Sequence, residues 1–500
     1  MEVQDESDLE TFLKWAAALG VSDSPIKKSE VPTFPPSSCL RHSLSVSHFP
    51  DAGGRGLAAV RDVMKGELVL RVPKEALMTS ESLRSKDQKL SAALCKYQKL
   101  SSNQVPFLLE ISMLSIYWVF FNRKVYFDEF NQSDNKLSSF GQLEIEALQM
   151  DDAIWTAERA VEKDKMDWRE ATALMGELNL KPQLMTFKAW LWASATISSR
   201  TMHIPWDSAG CLCPVGDFFN YAAPAEEPYH SENKPHQKLF PLHDTSPGKV
   251  QNAGKSVEEP FYAHEQRLID ACYEEEIAAY CFYARRNYRK GDQVLLSYGT
   301  YTNLELLEHY GFLLHENPND KAFIPLEPNM NSLCSWPKES LYIHQDGKPS
   351  FALLATIRLW ATPVTYRRSV GHIAYSGHQI SAENEVTVLE WIVKNCRALL
   401  GNCSSSIEED ELLLNTIHKI QDYNPLIDFG DVSRACIIEF SAFLEMNDRK
   451  LPSQVQICRK ARSIHRWKLA VEWRLSYKRI LCECISHCNE RLEDLFLNVS

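Results

Sequence analysis

Three short stretches place glycines or polar side chains among apolar neighbours, the setting in which a chain can hold a small ligand. Gly53, Gly54 and Gly56 surround Arg55 just ahead of a strand-forming run. Without Cβ atoms they let backbone approach a ligand closely, though the same glycines would serve an ordinary turn. Cys213-Pro214-Val215-Gly216-Asp217-Phe218-Phe219-Asn220-Tyr221 sets Asp217 and Asn220 in an otherwise apolar run. A buried Asn needs partners for its donors and acceptor, which either a ligand pocket or an Asx turn at a strand end can supply. Leu296-Ser297-Tyr298-Gly299 ends a third apolar run with a phenol, and in isolation Tyr298 reads as just another strand aromatic. A fourth cluster, Cys482, Cys484, His487 and Cys488, has zinc-ligand types. It lies in a helical pattern, where only Cys484 with His487 or Cys488 share a face, so these read as packed thiols and no metal is expected.

The elements that must position these residues fall in two separated β segments. Residues 57–72 and 278–298 each carry apolar, β-branched runs around a Lys-Gly-acid turn, Lys65-Gly66-Glu67 and Lys290-Gly291-Asp292. Each is predicted to be an antiparallel hairpin. Between them, residues 140–200 have helical period, with Thr186 capping a helix that carries Phe187, Trp190, Leu191 and Ile197 and ends near Arg200. Residues 224–260 show no apolar period and read as a flexible inserted loop.

Ahead of the first β segment, Ser7-Asp8-Leu9-Glu10 has capping-box spacing and opens a helix ended by Gly20. Thr302-Asn303-Leu304-Glu305 opens another, with Gly311 as its C-terminal cap. From about 350 onward helices dominate: Ala352 to Trp360, Ser381 to Leu400, Ser406 to Tyr423, Ser433 to Met446 and Ser453 to Leu495. An all-α domain without a catalytic motif is the expectation there.

The chain has 500 residues, 44% hydrophobic and 24% charged, which predicts a soluble protein of two or three domains. A formal charge of −12 argues against broad phosphate neutralisation, so no direct nucleic-acid binding is expected, and a basic partner surface fits better. Fourteen cysteines without a signal-peptide pattern read as reduced thiols of cytosol or nucleus, while the acidic N-terminus does not support plastid import and leaves it open. The most apolar stretch, Phe107 to Phe121, is shorter than the roughly 20 residues of a spanning helix and contains Glu110, so no membrane span is expected.

Taken in order, Gly53-Gly54-Arg55-Gly56-Leu57, Ser198-Ser199-Arg200, the D-x-x-N-Y of 217–221, the S-Y-G-T-x-T-N-x-E of 297–305 and Tyr310-Gly311-Phe312 resemble the SET-domain methyltransferases. The likeness is closer to the Rubisco large-subunit methyltransferase-like branch and spans nearly the whole chain. It implies an α+β fold: a split β-rich SET domain with a pseudoknot-like threaded C-terminal segment and a helical insert, followed by an all-α domain. Threading is rare and does not follow from periodicity. The implied organisation is an N-terminal helix and linker at 1–38, the SET domain at 39–315 with its insert at about 85–205 and loop at about 222–260, and a substrate-binding-like domain at 350–500.

The resemblance also implies S-adenosylmethionine as cofactor and a protein bearing a target lysine as partner, with a monomer expected. Gly53, Gly54 and Arg55 would meet the cofactor through backbone, Arg200 its carboxylate, and Asp217 through Asn220 and Tyr221 its amino group and adenine. Phe312 would pack on the adenine, and Tyr298 would be the catalytic tyrosine that also lines the cofactor site. Three positions depart from related patterns. Tyr221 stands where the family usually has His, residues 111–135 lack the branch's aromatic-proline segment, and Met202 replaces the Asn that helps actin-histidine methylation. The first of these bears on cofactor affinity, the second points to a splice or gene-model difference, and the third favours a lysine channel. Histidine methylation and a non-catalytic protein-binding scaffold are the alternative readings.

Overall fold

The computed structural model describes residues 2–24, 38–49, 54–86, 88–96, 135–223, 270–331, 336–421 and 454–497. Gly53, the apolar stretch at 107–121, most of the irregular segment at 111–135, the loop at 224–260 and the helix expected at 433–446 lie outside these residues.

The first helix, α1, runs Glu2–Ala18, so Ser7 lies inside it rather than capping it. The five residues ahead of Ser7 include no proline or glycine, and nothing local stops the helix from extending towards the N-terminus. Its end is as expected: Gly20 takes φ +85° and the Val21 N–H returns to the Ala16 carbonyl at 3.1 Å. Just beyond, one oxygen of the buried Asp23 accepts the backbone N–H groups of Arg41, His42, Ser43 and Leu44 at 2.8–3.0 Å, fixing the entry to the first strand.

Strands β1 (Leu44–Phe49) and β2 (Gly54–Ala59) form an antiparallel hairpin. β3 (Leu68–Pro73) does not return onto β2. The two expected hairpins therefore do not form, because each Lys-Gly unit uses its backbone groups on the other unit. Gly66 N–H donates to the Ala284 carbonyl at 2.7 Å, and at the matching place Gly291 N–H donates to the Ala59 carbonyl at 2.7 Å. Val63 and Tyr288 exchange both bonds at the centre. Even the turn side chains reciprocate, with Lys65 N–H donating to Asn287 Oδ1 at 2.8 Å and Lys290 N–H to Asp62 Oδ1 at 3.0 Å. The two repeats are thus mates in one ladder, a partnership that an apolar period alone does not specify.

This ladder continues into a three-stranded sheet in which β3 pairs with β8 (Ala279–Tyr283) and β8 with β7 (Ala271–Glu274), all antiparallel. β4 (Thr201–Ile204) and β5 (Asp207–Leu212) make a hairpin tied to the sheet region through Met78 and Leu212. β6 (Asn220–Tyr221) pairs in parallel with β9 (Leu295–Leu296). Residues 292–296 consequently lie between β2 on one side, through the Ala58–Gln293 bridge, and β6 on the other.

Helices surround this β core. In the insert, α2 (Ser80–Lys86), α3 (Gln88–Lys96), α5 (Asp151–Glu177) and α6 (Phe187–Arg200) pack around Trp190, Leu174 and Met175, while α4 (Gln142–Glu146) faces the C-terminal helices. Thr186 Oγ1 caps α6 by accepting from Ala189 N–H. α7 (Asn303–His309) has the full capping box of Thr302 and Glu305. The C-terminal region comprises α8 (Phe351–Ala361), α9 (Arg367–Tyr375), α10 (Ala382–Asn402), α11 (Ile407–Gln421) and the 44-residue α12 (Gln454–Leu497). Among the described residues no helix is long and apolar enough to cross a membrane, and no cluster of three or more His, Cys, Asp or Glu could hold a metal ion. Cys484 and Cys488 are buried in the core formed by α12 with the other C-terminal helices.

Candidate active site

The C-terminal end of α6 delivers Arg200 to the edge of the β core. The chain then crosses β4 and β5 and turns sharply at Val215, which takes φ +69°. Gly216 follows where a Cβ would fall 2.4 Å from Phe282 Cζ, so only glycine lets this turn lie flat on β8. The turn brings Asp217 to Arg200, whose Nη1 donates to the Asp217 carbonyl at 2.9 Å and to its Oδ2 at 3.4 Å. Asp217 Oδ1 is buried and accepts no hydrogen bond from the described residues. Burial pushes the Asp217 carboxyl up from its ordinary range, and Arg200 opposes that shift.

Three residues on, Asn220 Nδ2 donates to the Arg55 carbonyl at 3.2 Å, joining β6 to the glycine segment. Gly54 there takes φ +110°, and a Cβ on Gly56 would stand 2.7 Å from Asn220 Nδ2 and 2.7 Å from Gln293 Nε2. A side chain at position 56 would therefore displace the two amides that face it, Asn220 among them.

Tyr221 is buried, its hydroxyl donating to the Gly299 carbonyl at 3.1 Å and its ring 5.2 Å from that of Tyr298. Tyr298 donates its hydroxyl hydrogen to the Phe219 carbonyl. The aromatic wall continues through Tyr310, 5.3 Å from Tyr298, and Phe312, 5.8 Å from Tyr221. Hence Gly54, Arg55, Arg200, Asp217, Asn220, Tyr221, Tyr298 and Phe312 all occupy one neighbourhood.

Sequence reasoning missed Tyr301, which stands 5.5 Å from Tyr310, and Gln293, whose buried Nε2 faces Gly56. Tyr301 offered a signal, since it sits inside the S-Y-G-T-x-T-N-x-E run; Gln293 looks like an ordinary polar residue of a hairpin.

Burial raises the Tyr221 phenol to about 12, and raises those of Tyr298 and Tyr310 further. Below the ordinary tyrosine value, about 10, these phenols are neutral in folded and unfolded chain alike and contribute no pH dependence. Above it the unfolded chain ionises while the folded one resists, so stability is expected to fall as pH rises from about 10 towards about 12. Urea midpoints across that window check this, and a flat profile would count against dry phenols.

Comparison with known proteins bears on what this arrangement serves. The SET domain family matches residues 54–299, and the Rubisco LSMT substrate-binding family matches residues 320–481. The chain is 49% identical to "Protein SET DOMAIN GROUP 40" of Arabidopsis thaliana, over 98% of this chain and 97% of that protein. It is 22% identical to the actin-histidine N-methyltransferase of Canis lupus familiaris, over 72% of this chain and 59% of that protein. Among solved structures, the SET domain of LSMT bound to lysine and AdoHcy superposes with a TM-score of 0.55 at 15% identity, covering 98% of this chain and 92% of that one. LSMT bound to AdoMet gives a TM-score of 0.52, also at 15% identity and 98% of this chain, covering 93% of the other.

Proposed function

This chain belongs to the SET-domain family, in its Rubisco LSMT-like branch, and from that premise we propose that it methylates the side-chain amine of a lysine in a protein substrate. The methyl donor in this reading is S-adenosylmethionine, which supplies a methyl group activated by a sulfonium. The observation that carries the proposal is the buried, unpartnered Asp217 Oδ1 beside Arg200 and next to the aromatic wall of Tyr298. That set suits a ligand with an ammonium, a carboxylate and a flat base. Asp217 would accept from the ammonium, Arg200 would pair with the carboxylate, and Gly54 with Arg55 would meet the ligand through backbone. Asn220 and Tyr221 fix the opposite edge, and Phe312 would pack against the base.

Tyr298 would orient the lysine. Because its hydrogen is committed to the Phe219 carbonyl, its oxygen lone pairs face outward as acceptors. An acceptor there takes an N–H of the substrate amine and turns the nitrogen lone pair away from the phenol, towards the donor side of the pocket. The burial that raises the Tyr298 pKa keeps it a phenol, so it positions the amine rather than removing its proton. A lysine ammonium loses its proton near 10.4 in water, and an apolar channel lowers that value by disfavouring the charged form. The amine thus loses its proton on entry, to water.

A histidine acceptor is the competing reading, motivated by the actin-histidine relatives. Met202 speaks for lysine: it is half-buried against the β core and offers no hydrogen bond to an imidazole. The test is incubation of the pure protein with labelled S-adenosylmethionine and cell extract, followed by hydrolysis of the labelled protein to amino acids. Methyl-lysine is the expected product; methylhistidine would transfer the activity to the competing reading. Absence of both label and calorimetric S-adenosylhomocysteine binding would leave only a scaffold.

A further inference from the structure

The strand that presents Tyr298 and the strand that presents Asn220 and Tyr221 touch along a parallel pairing only two residues long, Asn220 with Leu295 and Tyr221 with Leu296. So short a parallel pairing supplies few bonds of its own. Alone it would hold its register poorly.

One guanidinium bridges the two strands from outside the ligand site. Arg285 Nη1 donates to the Ala222 carbonyl at 3.1 Å and Nη2 to the Ala223 carbonyl at 2.8 Å, directly after Tyr221. Its Nε lies 3.8 Å from Asp270 Oδ2. That same carboxylate oxygen accepts the Ser297 N–H at 3.1 Å, directly before Tyr298. The Asp270 carbonyl in turn accepts the Tyr283 N–H at 2.7 Å, which anchors the pair to β8. With side-chain exposures of 13% for Arg285 and 15% for Asp270, the bridge is shielded from competing water.

Resting on the methyl-transfer reading above, we propose that Arg285 and Asp270 are positioning residues that set the distance between the Tyr221 and Tyr298 strands. Neither touches the reacting atoms. Arg285 is required as arginine, since two directed N–H groups in one plane reach two carbonyls while the guanidinium stays at ion-pair distance from a carboxylate, whereas a lysine ammonium has one centre and would reach only part of the set.

Arg285→Lys and Asp270→Ala in the full chain test this through two readouts. In Arg285→Lys, hydrogen exchange of peptides spanning 219–223 and 295–299 should accelerate together, by about tenfold or more, while β3 at 68–73 keeps its protection. Asp270→Ala should loosen 295–299 more than 219–223, since it removes the Ser297 acceptor. Unchanged protection of both segments, uniform loosening of the whole sheet, or the reverse order in Asp270→Ala would overturn the assignment. In the second readout, kcat per S-adenosylhomocysteine-binding site should fall about tenfold in Arg285→Lys, with the substrate KM held within about twofold. A fall in KM-based affinity alone, or an unchanged kcat, would also overturn it. Should the wild-type protein bind no S-adenosylhomocysteine, the methyl-transfer reading fails by itself, and the exchange readout still decides whether the bridge holds the strands.

Discussion

Tyr298→Phe is expected to reduce methyl transfer by about a hundredfold to a thousandfold, the usual consequence of removing one preorganised polar contact at a reacting centre. The substitution deletes the hydroxyl that the Phe219 carbonyl holds and leaves the ring against Tyr221 and Tyr310, so folding and the aromatic wall should survive. Calorimetric binding of S-adenosylhomocysteine should therefore change by no more than about threefold, because this hydroxyl acts on the amine. The pH profile adds a separate check. In the wild-type protein the rate should rise with pH as the substrate amine loses its proton, without a descending limb from Tyr298 near 10, since its ionisation is pushed well above that value. Full activity in Tyr298→Phe would remove Tyr298 from the centre of the reading.

A loss of about 3–5 kcal/mol of folding stability is expected for Asp410→Ala, measured by urea unfolding. Asp410 on α11 is fully buried together with Arg474 and Lys478 of α12, at 0%, 0% and 1% side-chain exposure. Its Oδ1 accepts from Arg474 at 2.7 Å and from Ser405 Oγ at 2.6 Å, and its Oδ2 from Lys478 at 2.6 Å. Removing this carboxylate takes the anion from between two buried cations. The same cations reach the Ala147 carbonyl and Gln149, so the damage should spread from the C-terminal helices to the insert. Glu411, the next residue, provides the contrast. Its pair with Arg479 is about half exposed on both sides, and Glu411→Ala should cost under about 1 kcal/mol. Equal effects at 410 and 411 would mean that burial does not govern these pairs.

Much of this organisation was legible from residues alone. Thr302 with Glu305, and Ser406 with Glu409, announce capping boxes, and both form. Gly20 and Gly311 announce helix ends and both take positive φ. The ordered glycine, D-x-x-N-Y and S-Y-G motifs marked the residues that converge on one site. What escaped notice is long-range. A Lys-Gly-acid turn looks the same whether its flanking strands pair with each other or with a distant copy, and the choice rests on backbone bonds that periodicity does not encode. Arg285 was hidden for a similar reason: beside Arg286 it reads as a surface charge, and its partners, two carbonyls and a carboxylate, carry no sequence mark. The Ser7 capping spacing misled because helix propensity continues upstream of it.

The reciprocal ladder between the two Lys-Gly units also sets an order of events in time. During synthesis, β2 and β3 leave the ribosome more than 200 residues before Tyr288 and Gly291, the groups that complete their hydrogen bonding. At ordinary elongation rates that interval is on the order of ten to forty seconds. Throughout it the first unit has an open edge and half a core, while the insert helices, whose backbone hydrogen bonds are local, can already form. Maturation of the catalytic half is thereby a late step, triggered when the second unit arrives, and the newborn chain passes through a period in which its apolar strands need shelter from other chains.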